Sequence, residues 1–472
     1  MTPLTERSAL ELAAAIRGRE LKAREVVDAH IARLAAAAPQ INAVVADRFA
    51  DARAEADQAD ERIAAAAGSG SDDEVPPLLG VPFTVKESIA LAGMPQSAGL
   101  LARRAYRSSV NAPVVQHLID AGAIPLGVTN TSELTLWIES VNRVYGRTGN
   151  PYDAQRTAGG SSGGEGAAVG SGGSPFGVGS DIAGSIRIPA FFCGVFGHKP
   201  SPGVVSNEGM YPDSPGEAKR MLQVGPLTRR AEDLMPVLRI MSEQGVALGD
   251  PAQVSFDGLP VTTVEDASLL PMSRELRDAR ERAVGALVAA GAVIRRVSLR
   301  SWRRAALPYL VTLQAGAGQT TAGLIEAAGG LAPTWRTLVG RGGPHTLATR
   351  LTLAAELLPQ VGDGSRDRLL AAGRAVSSEL VEAIGDGVLL HPAHPRVAPR
   401  HGSTVGRPWL MTPAAVFNLT GVPVTEVPLG LNAAGLPLGV QVAAGAGRDH
   451  VSISAALELE RVFGGWTAPT AT

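Results

Sequence analysis

Along residues 8–66, apolar side chains recur at three- and four-residue spacing (Leu10, Ala14, Ile16, Val26, Ile31, Leu34) with Arg, Glu and Asp between them. That period predicts two or three helices forming an outer layer. The polar run 68–74 reads as a solvated loop, and Val81 to Val85 as a short buried strand with Lys86 at its end. Ala112 to Ala121 reads as a helix, Ile124 to Val128 as a strand, and Thr129 to Glu133 as a turn and helix start. The alternation resumes later, with strands at Leu259–Val264 and Ala292–Val297 around a helix at Ser273–Ala290. Residues 304–385 are mainly helical by composition, and a strand at Leu438–Val442 precedes a helix at His450–Val462. Alternating helix and strand predicts an α/β sheet. No tandem repeat of fixed period is visible, and no shift in composition marks a boundary, so residues 1–472 are expected to form a single large domain.

Composition narrows the function. Lys plus Arg number 43 against 45 Asp plus Glu, a net charge of −2, so there is no cationic surplus for a nucleic-acid backbone or an anionic membrane face. No stretch has the ~18 to 20 uninterrupted apolar residues that a spanning helix needs. Glu6, Arg7, Glu11 and Arg17 fall where an export signal would carry its apolar core, so the expected location is the cytoplasm. The single cysteine, Cys193, rules out an intrachain disulfide framework and Cys-rich metal sites and reads as a buried, inert thiol. His391, His394 and His401 raise a metal reading, but the prolines between them break helical register and no carboxylate intervenes. No metal and no cofactor are expected.

Only four of the 43 basic residues are lysines, namely Lys22, Lys86, Lys199 and Lys219. Codon bias would explain the excess of arginine, yet Lys86 stands in the apolar stretch Gly80-Val-Pro-Phe-Thr-Val-Lys86. A desolvated lysine can lose its proton near neutrality and an arginine cannot, so Lys86 is a candidate base.

The densest chemical signal spans 158–189: Ala-Gly-Gly-Ser161-Ser162-Gly-Gly-Glu165, then Ser180-Asp181-Ile-Ala-Gly184-Ser185-Ile-Arg187. Glycines there allow close backbone approach and positive φ. The tract lacks the Gly-Lys-Ser/Thr ending of a P-loop and the third glycine of a dinucleotide fingerprint. Gly160-Ser161-Ser162-Gly163-Gly164 satisfies the nucleophile-elbow pattern formally, but the preceding Tyr152–Ala158 is polar where an elbow requires a buried strand. Either half alone reads as a glycine-rich structural turn, and its serines as turn serines.

The two halves together closely resemble the amidase signature family. Its members carry Gly-Gly-Ser-Ser-Gly-Gly, then Asp-x-Gly-Gly-Ser-Ile-Arg, and a lysine ending an upstream Gly-Val-Pro-Phe strand. All three elements occur here in order, with Ala183 in place of one glycine. Ser161 lies 75 residues after Lys86, and Ser185 lies 24 after Ser161, matching the family's spacing. Further similarity runs through Thr129–Glu133, Tyr145–Tyr152, Phe196–Ser201, Asn418–Pro423 and Gly435–Gln441, and is weakest over about 240–390. Glu165 and the run Ile188–Val205 look most like the fatty-acid amide hydrolase branch, especially its second type.

The resemblance implies a single large mixed, mostly parallel sheet covered by helices on both faces. It implies an amidase that converts carboxylic acid amides to acid plus ammonia or amine. By the same resemblance, Ser185 is the nucleophile, Ser161 the bridging serine on a cis peptide bond, and Lys86 the base. The N–H groups of Ile182, Ala183, Gly184 and Ser185 form the oxyanion hole, and Thr135, Leu136 and Trp137 line the acyl pocket. Asp181 and Arg187 are read as a supporting hydrogen-bonded pair, with Ser162 behind them. Ala183 brings a Cβ into a loop where the family has glycine, which puts the local backbone geometry in question. The expected partner is a small-molecule amide, with no nucleic acid and no integral membrane segment; a homodimer is left open. Two alternatives remain: an amidotransferase A subunit supplying ammonia for tRNA-dependent transamidation, and a catalytically silent amidase-fold binding protein.

Overall fold

A computed structural model of the chain describes residues 2–69, 75–265, 271–331, 334, 338, 343–357 and 362–470. The expected loop at 68–74 falls, from residue 70 on, outside the described residues. Three helices open the chain, α1 (Ala9–Arg17), α2 (Ala23–Ile41) and α3 (Phe49–Ser69). Ser8 starts α1 with a reciprocal cap: its hydroxyl accepts from Glu11 N, and the Glu11 carboxylate accepts from Ser8 N. Asn42, in the left-handed region at φ 45°, ends α2.

The strands are β1 (Val44–Asp47), β2 (Pro82–Lys86), β3 (Ile124–Thr129), β4 (Val141–Asn142), β5 (Gly146–Arg147), β6 (Gly149–Asn150), β7 (Asp153–Thr157), β8 (Phe176–Asp181), β9 (Phe196–Lys199), β10 (Gln223–Thr228), β11 (Pro260–Val264), β12 (Val293–Val297), β13 (Val388–His391), β14 (Val424–Leu431) and β15 (Pro437–Ala444). Among the described residues, eleven of them build one sheet in the order β1-β3-β2-β8-β10-β9-β14-β15-β13-β11-β12, while β4–β5 and β6–β7 form two small antiparallel pairs. Every residue of β2, β3, β8, β9, β10, β13 and β15 is buried. Successive side chains on a strand point to opposite faces, so both faces of the sheet are covered.

The sheet is mixed but not mostly parallel. Only β2–β3, β2–β8, β11–β12 and β11–β13 pair parallel. The middle, from β8 through β10, β9, β14 and β15 to β13, is antiparallel throughout. Helical crossovers impose the parallel pairs: α4 (Pro113–Asp120) lies between β2 and β3, and the helix Arg274–Ala289 between β11 and β12. A short connection instead folds β15 back against β14.

The main core runs beneath β2, β3, β8, β10 and β15, and a second cluster packs Trp302 and Phe417 against Val424 and Ala443. No helix among the described residues is long and apolar enough to cross a membrane.

Candidate active site

Lys86 ends β2, held between β3, where Thr129 is its register partner, and β8. Its Nζ is fully buried, 2.7 Å from Ser161 Oγ and 2.9 Å from Ser180 Oγ. Desolvation lowers its pKa from 10.5 to about 7, against the opposing charges of Asp181 and Glu165. Near neutrality, therefore, the amine can be uncharged and accept a proton.

Ser161 follows a cis peptide bond from Gly160 and precedes α5 (Gly163–Gly170). Position 160 admits only glycine, because a Cβ would sit 2.6 Å from the Trp137 carbonyl oxygen. Ser140 fixes the turn by donating to Ser161 O (3.0 Å) and accepting from Gly163 N (2.9 Å). Ser162 ties the two halves of the motif together. Its N–H donates to Ser185 O at 3.2 Å, and its hydroxyl donates to Ser180 O and accepts from Ser180 N.

Asp181 ends β8, and α6 (Arg187–Phe192) begins just after Ser185. The Asp181 carboxylate accepts from Gly184 N (2.7 Å), Ile186 N (3.1 Å), Asn418 Nδ2 (3.0 Å) and two nitrogens of Arg187. These donors hold it ionised, well below the usual carboxylate range in spite of its burial. Arg187 spends its remaining donors on Ala414 O, Gln441 Oε1 and Asn418 Oδ1.

Ser185 is only 5% exposed, and its Oγ makes no hydrogen bond among the described residues. The structure thus brings Lys86 and Ser161 into direct contact and joins Ser185 to them through the backbone bond from Ser162. The expected set of four oxyanion donors is reduced: the Gly184 N–H already points at Asp181, whereas those of Ile182, Ala183 and Ser185 have no protein acceptor among the described residues. Gly184 itself has φ +105°, and a Cβ there would lie 2.5 Å from the Ala414 methyl. Ala183 is not among the positive-φ residues, so its Cβ introduces no strain of that kind.

Of the expected acyl-pocket residues, Trp137 borders a cavity of about 250 Å³ with Val141, Leu347, Ala348 and Val405, while its indole donates to Thr404 Oγ1. Leu136 packs instead with the Leu100–Leu134–Ile325 cluster, and Thr135 holds a left-handed φ of 59°.

Three further residues adjoin the site. Ser180 is the second partner of Lys86. Glu165, fully buried, accepts from Thr84 Oγ1 (2.6 Å) and Thr129 Oγ1 (2.7 Å), and burial pushes its pKa up to about 7. Tyr309 donates to Ile182 O at 2.6 Å from the helix Ala306–Ala317. The histidines at 391, 394 and 401 do not converge: their ring nitrogens bond separately to Pro392 O, Arg396 O and Ala154 O.

A buried lysine–serine contact set on a large mixed α/β sheet defines the class. The amidase family model matches residues 25–452. Fatty-acid amide hydrolase 2-A of Danio rerio is 44% identical over 100% of this chain and 91% of its own length, and fatty-acid amide hydrolase 2 of Homo sapiens 40% over 99% and 91%. The solved structure of 6-aminohexanoate cyclic dimer hydrolase with its substrate superposes with a TM-score of 0.81 at 26% identity, covering 97% of each chain. The chain belongs to the amidase signature family and is an amide hydrolase.

Proposed function

We propose that the chain hydrolyses small, aryl or fatty acyl amides to acid plus ammonia or amine through a Ser185–Ser161–Lys86 relay and an acyl-enzyme on Ser185. Neutral Lys86 takes the Ser161 hydroxyl proton while Ser161 takes that of Ser185, whose Oγ attacks the amide carbon. The oxyanion is met by the N–H groups of Ile182, Ala183 and Ser185. As the tetrahedral species collapses, the proton on Lys86 returns through Ser161 to the departing nitrogen, and water repeats the sequence to release the acid.

The observation that carries this reading is the buried 2.7 Å contact between Lys86 Nζ and Ser161 Oγ, with the amine brought down to about 7 by desolvation. The similarity to fatty-acid amide hydrolases supports acyl amides as substrates. The test is a panel of aryl and straight-chain amides of increasing acyl length, with a fluorophosphonate probe mapped by mass spectrometry. Turnover without glutamine or partner subunits, unchanged in EDTA, together with an adduct on Ser185, is the expected result. Labelling elsewhere, turnover only in an amidotransferase complex, or no turnover at all would replace the reading.

A further inference from the structure

Tyr309 lies in the part of the chain least like the family motif, yet its hydroxyl reaches the loop that carries the proposed oxyanion donors. The phenol is 2% exposed and donates to Ile182 O at 2.6 Å. Ile182 C=O and Ala183 N–H belong to one planar peptide unit and, in the trans form, point in opposite directions. Holding the oxygen from behind therefore fixes where the Ala183 N–H aims, and polarises it as a stronger donor. One residue on, Asp181 holds Gly184 N at 2.7 Å, so the Ala183 peptide is braced on both sides. Ile182 and Ala183 are half-buried, whereas Gly184 and Ser185 are buried, so the braced peptide is the more accessible part of the loop. Burial, with the nearby charge of Asp181, pushes the phenol upward, which keeps it a donor throughout the working range.

We infer that Tyr309 is a positioning residue for the amide hydrolysis: by binding Ile182 O it aims the Ala183 N–H at the developing oxyanion. The inference rests on the assignment of Ser185 as nucleophile. It predicts an effect confined to tetrahedral species. Removing one neutral hydrogen bond of this kind corresponds to a loss of up to ~10-fold.

The experiment compares Tyr309→Phe with the unmodified enzyme on one amide substrate and on an alkyl trifluoromethyl ketone, which forms a tetrahedral oxyanion adduct on a serine. The expected result is kcat lowered ~10-fold, KM within about twofold, ketone affinity lowered by the same factor, and the fluorophosphonate adduct still on Ser185. Equal kcat and ketone affinity in the two enzymes, or a fall in kcat without one in ketone affinity, would overturn the inference. An adduct away from Ser185 would instead overturn the nucleophile assignment. A crystal structure of the ketone adduct of the unmodified enzyme gives an answer even if the variant does not fold. The adduct oxygen should lie within hydrogen-bond distance of Ala183 N with Tyr309 still on Ile182 O, and an oxygen turned away from Ala183 would refute the proposal.

Discussion

Arg187 and Asp181 form a double hydrogen bond inside the protein, Nε to Oδ2 and Nη2 to Oδ1, both 3.0 Å, with neither side chain exposed. Asp181 also holds the amides of Gly184 and Ile186 on either side of Ser185, so the same pair anchors the helix α6 and shapes the loop before it. Removing the negative partner would leave a buried guanidinium charge uncompensated. Asp181→Asn is expected to destabilise the fold by about 3 kcal/mol or more, read as a lower urea midpoint at unchanged m-value. A midpoint equal to that of the unmodified protein would mean that the pair contributes little to the fold.

Ser185→Ala should abolish both turnover and fluorophosphonate labelling, because the neighbouring serines are committed elsewhere: Ser161 to Lys86 and Ser162 to Ser180. Thermal unfolding should be almost unchanged. Retained labelling on Ser161 or Ser162 would reassign the nucleophile.

Lys86→Arg should be nearly as inactive as Lys86→Ala. Arginine keeps the charge but cannot act as a proton acceptor near neutrality, and its larger fork has to fit where Nζ now touches two serine hydroxyls. If the arginine variant recovered much of the activity that the alanine variant lost, Lys86 would be a structural cation instead of a base.

If Lys86 is the base proposed above, the pH profile should rise from acid toward an alkaline plateau with a midpoint near 7, because the neutral amine is then the reactive form and burial lowers the Lys86 pKa to about that value. Below the midpoint the rate falls about tenfold per pH unit as the amine is protonated. The negative charges of Asp181 and Glu165 work against the desolvation and hold this value up. Burial raises Glu165 itself to about 7, so its charge is only partly present at the midpoint; Glu165→Gln removes that part, and the rising limb should move to lower pH by less than a permanently charged neighbour would give. A limb that stays in place, or moves upward, would remove Glu165 from the electrostatics of the base.

Lys86 is legible at the end of a short buried strand because Val81, Phe83 and Val85 alternate along one apolar face, and the serine motif is legible from its spacing. The centre of the sheet was not. Strands such as β8, Phe176-Gly-Val-Gly-Ser-Asp, are short and glycine-rich and give no alternation to read. Without the β2–β8 register, nothing in the sequence tells that Ser180 meets Lys86, since that contact spans 94 positions. The engagement of Gly184 by Asp181 is different in kind: an aspartate three residues before a glycine in a turn is a local pattern. Tyr309 carries no local signal at all, because its contact with Ile182 O depends on where a distant helix docks.

The strand β2 that ends at Lys86 is supported by backbone ladders on both sides, to β3 and to β8, in the interior of an eleven-stranded sheet. Amide hydrogens there should exchange with solvent only through global opening, whereas an outer helix such as Ala306–Ala317, with Leu307 53% and Leu310 38% exposed, can detach in a smaller, cheaper fluctuation. On heating, Lys86 should therefore stay in register until the whole sheet melts, while the Tyr309 contact on the Ile182–Ala183 peptide is released earlier. Partial loss of rate would then precede the loss of secondary structure, and deuterium uptake at residues 306–317 would rise with it while 82–86 stayed protected.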